Sequence, residues 1–501
     1  KIGIKPQNML NSVKTLYSRQ SDDLKGLVKG VFWSLFGSVL SKALVFLSWI
    51  LVARILGRES YGEYGLIRNT VLMFSAFAGF GLSVTATRFV ARYLNEDVAK
   101  SGRIASLTLS FSVIMGLSIS LIVFAFSDVI AQSVIKDARL ATDFRIASFI
   151  LFFSALEGAQ TGVLQGMRQF RRIAVINLVN AFVSFPVFVA GAYYFGTTGS
   201  VVALGITTMV LCIQNQAAIY SFAKKGLISL NFRQGWREWR LLYIFSLPAA
   251  LAGIISIPLK WYTDVMLVNT SGFSAMGIYS AAFLIYTIVA VLANTMNAPF
   301  VSFMSGSKAD NDVIEKLNIL VPWFLGIMIG LPFLCFPEAG GYLFGKEYQG
   351  EEFNNTLVFI ILYMIIVMYK QGMNRIFIVH NMQWINLMTV TVWGLILIGS
   401  FYMLKEYASV GLAISYCISY TLVTILIYPL YVKRKLMPLE FIISRNVLTI
   451  WGTMALAAYL SLSRVHWGYR IAAYVGIMAV VVFTFKNMLK SKVKYNLFSH
   501  E

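Results

Sequence analysis

The sequence predicts an all-α polytopic membrane protein. Its 14 transmembrane helices form two six-helix lobes related by a pseudo-two-fold along the membrane normal, plus two extra C-terminal helices. Three observations lead there. Of 501 residues, 58% are hydrophobic and 13% charged, with mean hydropathy +0.71; a soluble chain carries about 25% charge. Basic residues gather in alternate loops. A sequence pattern recurs at a shift of 215 residues.

A helix needs about 20 apolar residues to cross the hydrocarbon core. Residues 1–26 are read as a cytoplasmic amphipathic segment, held at the bilayer surface by Ile2, Ile4, Met9 and Leu10. The basic stretch ahead of the first span is too long for a signal-peptide n-region. The spans then follow at 30–52, 64–87, 105–127, 146–166, 174–195, 200–222, 241–268, 275–303, 318–344, 355–374, 384–403, 409–431, 447–463 and 469–485. With the N-terminus in the cytoplasm, the cytoplasmic segments hold 30 Lys and Arg and the outer segments 9. Segment 370–375 counts here as a cytoplasmic loop. That bias sets both termini in the cytoplasm. It also explains the net charge of +20 by topology and excludes nucleic acid as the partner.

The end of the first span reads Leu51-Val-Ala-Arg-Ile-Leu-Gly-Arg-Glu-Ser-Tyr-Gly-Glu-Tyr64, and the end of the seventh Met266-Leu-Val-Asn-Thr-Ser-Gly-Phe-Ser-Ala-Met-Gly-Ile-Tyr279. Gly57, Gly62 and Tyr64 fall on Gly272, Gly277 and Tyr279. Six helices separate the copies, an even number, so the repeats run in the same direction. The organisation that follows is an N-lobe at 27–222, a cytoplasmic interlobe loop at 223–240 and a C-lobe at 241–432. Two further helices at 433–487 and a basic cytoplasmic tail at 488–501 complete it.

Three basic residues remain inside apolar spans: Lys42, Arg68 and Lys260. Each costs roughly 2.5–3.5 kcal/mol on insertion scales, so a compensating use is expected, namely a cavity for an anion. The repeat sets Lys260 against position 45, three residues and one helix face from Lys42. Snorkelling to the headgroups is the competing reading for Lys42 and Arg68. Arg88 ends the second span and reads also as a topological anchor. Lys260 and Asp264 stand four apart and admit a local ion pair. Glu157, in mid-span with Gln160 and Gln165, is a candidate ion carrier, as is Asp264. Gln214, Asn215, Gln216, Asn294 and Asn297 bond either sugar hydroxyls or neighbouring helices. Pro248 and Pro258 interrupt the seventh span and are candidate hinges.

Residues 53–93 resemble the N-terminal signature of the bacterial polysaccharide (O-antigen) flippase family, in the multidrug/oligosaccharidyl-lipid/polysaccharide exporter superfamily. The matching residues are Ala53 to Gly57, Tyr61 to Tyr64, Gly81-Leu82 and Arg88. Tyr342-Leu-Phe-Gly-Lys-Glu-Tyr348 is similar to that family's outer-loop motif. Arg58 departs from it, since a Pro is commoner there. The resemblance implies a V-shaped pair of lobes and alternating access in the inner membrane. The implied substrate is a polyprenyl-diphosphate-linked oligosaccharide, with Lys42, Arg68, Lys260 and Arg88 facing the diphosphate. A proton or sodium ion on Glu157 or Asp264 is the expected coupling ion. Membrane lipids and a polysaccharide polymerase are the expected partners. A lipid II flippase, or a multidrug or cation exporter of the same superfamily, is the alternative.

No enzyme is expected. Gly340 to Glu347 has the glycines and lysine of a phosphate loop but lacks its Ser or Thr. His380, His466 and His500 are scattered, and Cys212, Cys335 and Cys417 lack metal-ligand spacing. No metal or other cofactor is expected.

Overall fold

The computed structural model describes residues 22–94, 96–226, 228–296, 300, 312–379, 382–434, 436 and 441–490. Most of the N-terminal segment, the tail beyond Lys490, Asn297, His380 and His500 lie outside them. The described residues form helices and connecting turns: α1 (Asp22–Gly79), α2 (Leu82–Tyr93), α3 (Val98–Ala125), α4 (Ala141–Gly166), α5 (Phe170–Lys224), α6 (Leu247–Thr295), α7 (Asp312–Cys335), α8 (Glu338–Phe344), α9 (Glu351–Val379), α10 (Gln383–Leu404), α11 (Ala408–Lys433), α12 (Arg445–Leu462) and α13 (Trp467–Lys490). Among the described residues, 9 helical stretches are long and apolar enough to cross a membrane. The chain is a multi-pass membrane protein.

Several helices are far longer than a bilayer is thick, and each turns back at a single kink. In α1 the kink is Gly57 (φ 72, ψ 177), in α6 Gly272 (φ 82, ψ 177). These two glycines are equivalent under the shift of 215 residues, and they share a conformation that side chains resist. In α5 the kink is Gly196 (φ 58, ψ −136), and α10 passes into α11 at Ala408 (φ 49, ψ −127). The repeat in sequence is therefore a repeat in backbone geometry, and it relates two lobes by a pseudo-two-fold. The lobes meet where the elbows at Gly57 and Gly272 cross. A Cβ on Gly62 would lie 1.9 Å from the Phe273 carbonyl, and one on Gly277 1.8 Å from the Arg58 carbonyl. Phe273 is Arg58 moved by the repeat, and Gly277 is Gly62, so the crossing is reciprocal.

The opposite end carries the interlobe segment, which is fastened to the N-lobe. Asn231 N–H donates to Ser106 Oγ at 2.9 Å, and Arg103 pairs with Glu238 at 3.2 Å. A Cβ on Gly102 would lie 1.8 Å from the Ser229 carbonyl. α12 and α13 pack on the C-lobe through Trp323, whose ring lies 5.6 Å from Trp451 and 5.3 Å from Phe485.

The structure corrects the sequence reading in three places. The second span does not run unbroken over 64–87: Phe80 (φ 40) and Gly81 (φ 65) interrupt it, and the Ser246 carbonyl comes within 2.4 Å of a Cβ built on Gly81. Segment 370–375 is not a loop. It lies within α9, where Lys370 and Arg375 are buried; polar residues at 370, 371, 374 and 375 mimic a loop in a hydropathy profile. Lys316 is likewise buried in α7. Pro248 follows directly on a widened helical turn, Leu242–Ser246, in which Leu247 N–H reaches the Leu242 carbonyl, and that turn accommodates the N–H the proline lacks.

Candidate functional site

The lobe boundary carries a polar cluster. Past the Gly57 elbow, α1 brings Arg68, Asn69 and Thr70 to the seam, and the first half of α6 brings Lys260, Trp261 and Asp264 against them. Asn69 Nδ2 donates to Asp264 Oδ2 at 2.9 Å, and Trp261 Nε1 donates to Thr70 Oγ1 at 2.8 Å. Both bonds join one lobe to the other. Asp264 is fully buried, and its Oδ1 has no hydrogen-bond partner among the described residues. Arg68 and Lys260 both lie within electrostatic reach of it. Arg68 is half-buried with its guanidinium over the Trp49 ring at 5.1 Å, and its Nε has no partner among the described residues.

Lys260 does not close on Asp264 as an i, i+4 ion pair. Its Nζ sits over the Phe283 ring at 3.9 Å. The quadrupole of an aromatic face attracts a desolvated cation. This leaves two cations within electrostatic reach of one incompletely bonded carboxylate, drawn from both lobes.

Lys42 and Glu157 form a second group. Lys42 is exposed and lies within electrostatic reach of Glu157. Glu157 Oε1 accepts from Thr161 Oγ1 at 2.8 Å, and Asn215 Nδ2 donates to that hydroxyl at 3.2 Å. Gln160 bonds Gln216 at 2.9 Å, and Thr87 donates to Gln165 at 3.1 Å. These amides join helices of the N-lobe, as polar residues in membrane helices commonly do. Asn294 accepts from Gln371 Nε2 at 2.8 Å within the C-lobe. Arg88 is exposed in α2 with its guanidinium over Phe245 at 4.7 Å. The structure thus sets Arg68 and Lys260 within electrostatic reach of Asp264 and Lys42 within reach of Glu157, while Arg88 lies over the rings of Phe89 and Phe245. Pro258 lies inside α6, whose sole non-helical dihedrals are at Gly272.

Sequence reasoning missed an aromatic basket beside Lys260. Phe283 packs against Tyr286 at 4.7 Å and Tyr416 at 5.8 Å, and Tyr363 reaches Tyr420 at 5.4 Å. At its far side, buried Lys370 places Nζ over the Tyr420 ring at 4.7 Å. The signal was the helical spacing of Tyr416 and Tyr420, which core packing also produces. Arg375 ties helices of the C-lobe together. It bonds the Asn318 carbonyl and side chain at 3.2 and 3.1 Å and the Ala293 carbonyl at 3.3 Å. Among the described residues no group of three His, Cys, Asp or Glu is arranged for a metal ion.

Comparison with known proteins adds three similarities and a family match. Residues 27–305 match the family described as polysaccharide biosynthesis protein. The chain is 22% identical to the capsular polysaccharide biosynthesis protein CapF of Staphylococcus aureus, over 81% of this chain and 100% of that one. It is 20% identical to stage V sporulation protein B of Bacillus subtilis (strain 168), over 93% and 97%. Among solved structures it resembles a multidrug resistance MATE family transporter of the MOP superfamily in an inward-facing conformation. That likeness has a TM-score of 0.64 and 17% identity, and covers 77% of this chain and 93% of the other.

Proposed function

The chain belongs to the polysaccharide biosynthesis protein family, within the multidrug/oligosaccharidyl-lipid/polysaccharide exporter superfamily, and from that membership we propose that it flips a polyprenyl-diphosphate-linked oligosaccharide across the cytoplasmic membrane by alternating access. The solved structure it resembles is a multidrug resistance transporter, and that likeness of fold supports a transport role. The finer reading concerns the substrate. The observation that carries it is that Arg68 and Lys260, from opposite lobes, both lie within electrostatic reach of Asp264 at the seam.

A diphosphate is a compact dianion that needs positive potential and donors. Arg68 and Lys260 offer both at a point where the lobes touch. Lys42, exposed beside Glu157, offers a further cation in the N-lobe. The sugars would occupy the polar space between lobes while the lipid tail stays in the bilayer. The end carrying the interlobe segment faces the cytoplasm in this reading, and the chain crosses fourteen times with both termini inside. An anion drawn to Arg68 and Lys260 brings negative charge beside the Asp264 carboxylate, and that repulsion works against the Asn69–Asp264 contact between the lobes. A proton or sodium ion on Asp264 or Glu157 then resets the site. Such an ion drives the cycle only if it binds the two states unequally. Lipids of the membrane and a polysaccharide polymerase are the partners in this reading.

The test is surface polysaccharide in cells relying on this chain alone. Lys42→Ala with Lys260→Ala is expected to abolish export while the protein stays in the membrane, and Lys→Arg changes are expected to be milder. Normal polysaccharide in the double Ala strain would sink the assignment.

A further inference from the structure

The motif Tyr342–Tyr348 has no part in the anion site, yet it crosses from the C-lobe to the N-lobe elbow. Arg54 Nε donates to the Leu343 carbonyl at 2.7 Å and its Nη2 to the Tyr342 carbonyl at 2.6 Å. These carbonyls end α8, where helix C-termini leave acceptors unpaired and favour a cation. Glu347 Oε2 accepts from the backbone N–H of Arg58 at 3.0 Å. Arg58 begins the helix resumed after the Gly57 kink, so Glu347 acts as its N-terminal cap. Tyr348 Oη, on a buried side chain, donates to the Ala53 carbonyl at 3.4 Å. The C-lobe loop therefore takes up polar groups that the N-lobe elbow frees. A Cβ on Gly57 would lie 2.5 Å from Glu347 Oε2, so the kink glycine also makes room for this carboxylate.

The pseudo-two-fold supplies a weaker counterpart. Asn269 is Arg54 moved by the repeat, and its Nδ2 donates to the Val134 carbonyl, in the N-lobe turn Ile130–Ile135, at 2.9 Å. A Cβ on Gly272 would meet nothing within 4 Å, so among the described residues no carboxylate stands against this second glycine as Glu347 stands against Gly57. Among the described residues, one elbow has a charged fork and a cap, and the other has the neutral Asn269 bond.

We infer that these contacts form an asymmetric clasp holding the elbow end shut, in which Arg54 and Glu347 are positioning residues that set how often it opens. The inference rests on the alternating-access reading but not on the substrate. The bonded groups Arg54 and Glu347 are exposed. Water replaces such bonds at small cost, which suits a contact broken and remade in every cycle.

The experiment places a reporter between the elbows. Met276 is fully buried, 3.9 Å from a Cβ built on Gly65. Met276→Cys protein in lipid nanodiscs, with both faces accessible, is treated with a maleimide, and native Cys335, 2% exposed, serves as an internal control. Arg54→Ala and the isosteric Glu347→Gln are expected to speed labelling at 276 roughly three- to tenfold, with Cys335 unchanged. Asn269→Ala is expected to have a smaller effect than Arg54→Ala. Unchanged labelling in both Arg54→Ala and Glu347→Gln overturns the clasp. So does labelling of Cys335 that rises in step, because the lobe itself is then loosened. Transport is not read, so failure of the flippase reading leaves a different signature.

Discussion

Asp264 is the residue on which the account turns. Buried, bonded to Asn69 at 2.9 Å and within reach of Arg68 and Lys260, it belongs to the proposed anion site as well as to the lobe contact. Removing its carboxylate leaves the Asn69 amide and two cations without their partner, and an unpaired buried polar group costs roughly 1–3 kcal/mol. Asp264→Asn keeps the shape and an acceptor for Asn69. It is therefore expected to leave folding intact while abolishing any dependence of transport on a proton or sodium gradient. Substrate-dependent ion flux in vesicles checks this, with Glu157→Gln alongside. If both variants carry substrate at the normal rate and neither gradient matters, ion coupling at these residues is wrong. Arg68→Lys is expected to retain more transport than Arg68→Ala, since an ammonium supplies potential without the guanidinium fork.

At the scale of elements, the kinked helices are what bring distant residues together. Gly57 and Gly272 share a conformation nearly closed to side chains, which costs of order 1–3 kcal/mol to impose on alanine. Their surroundings differ: Gly57 faces Glu347, and Gly272 faces open space. Gly57→Ala is thus expected to be more destabilising than Gly272→Ala, by the displaced cap, in thermal unfolding of the purified protein. Gly62→Ala acts otherwise. Its backbone is helical, and the added methyl group meets the Phe273 carbonyl at 1.9 Å. It is expected to wedge the lobes apart, raising maleimide labelling of a Met276→Cys reporter while the lobes stay folded. An unchanged labelling rate would mean that the elbows do not meet as described.

For the whole molecule, much was legible because membrane insertion writes itself into composition. The apolar runs, the bias of basic residues and the shift of 215 residues follow from hydropathy and duplication, and the matched kinks at Gly57 and Gly272 repeat that duplication in backbone form. Lys260 and Asp264 announced themselves as charges in apolar helices. The partners of those charges were not legible. Nothing in the spacing tells that Asn69 crosses the seam, that Phe283 rather than Asp264 receives the Lys260 ammonium, or that residues 342–348 lie on the Gly57 elbow. Those contacts link residues far apart in sequence, and periodicity carries no such information. Lys370 was hidden for another reason: a short polar cluster inside a buried helix has the hydropathy of a loop.

The central claim is that Arg68 and Lys260, one from each lobe, receive the diphosphate. The most direct measurement is translocation of a polyprenyl-diphosphate-linked oligosaccharide in proteoliposomes, comparing the parent chain with the double variant Arg68→Ala, Lys260→Ala at equal protein density. The account predicts that the double variant is slower by at least about tenfold, since charge-assisted bonds to both phosphates are lost. Translocation at the parent rate would contradict it.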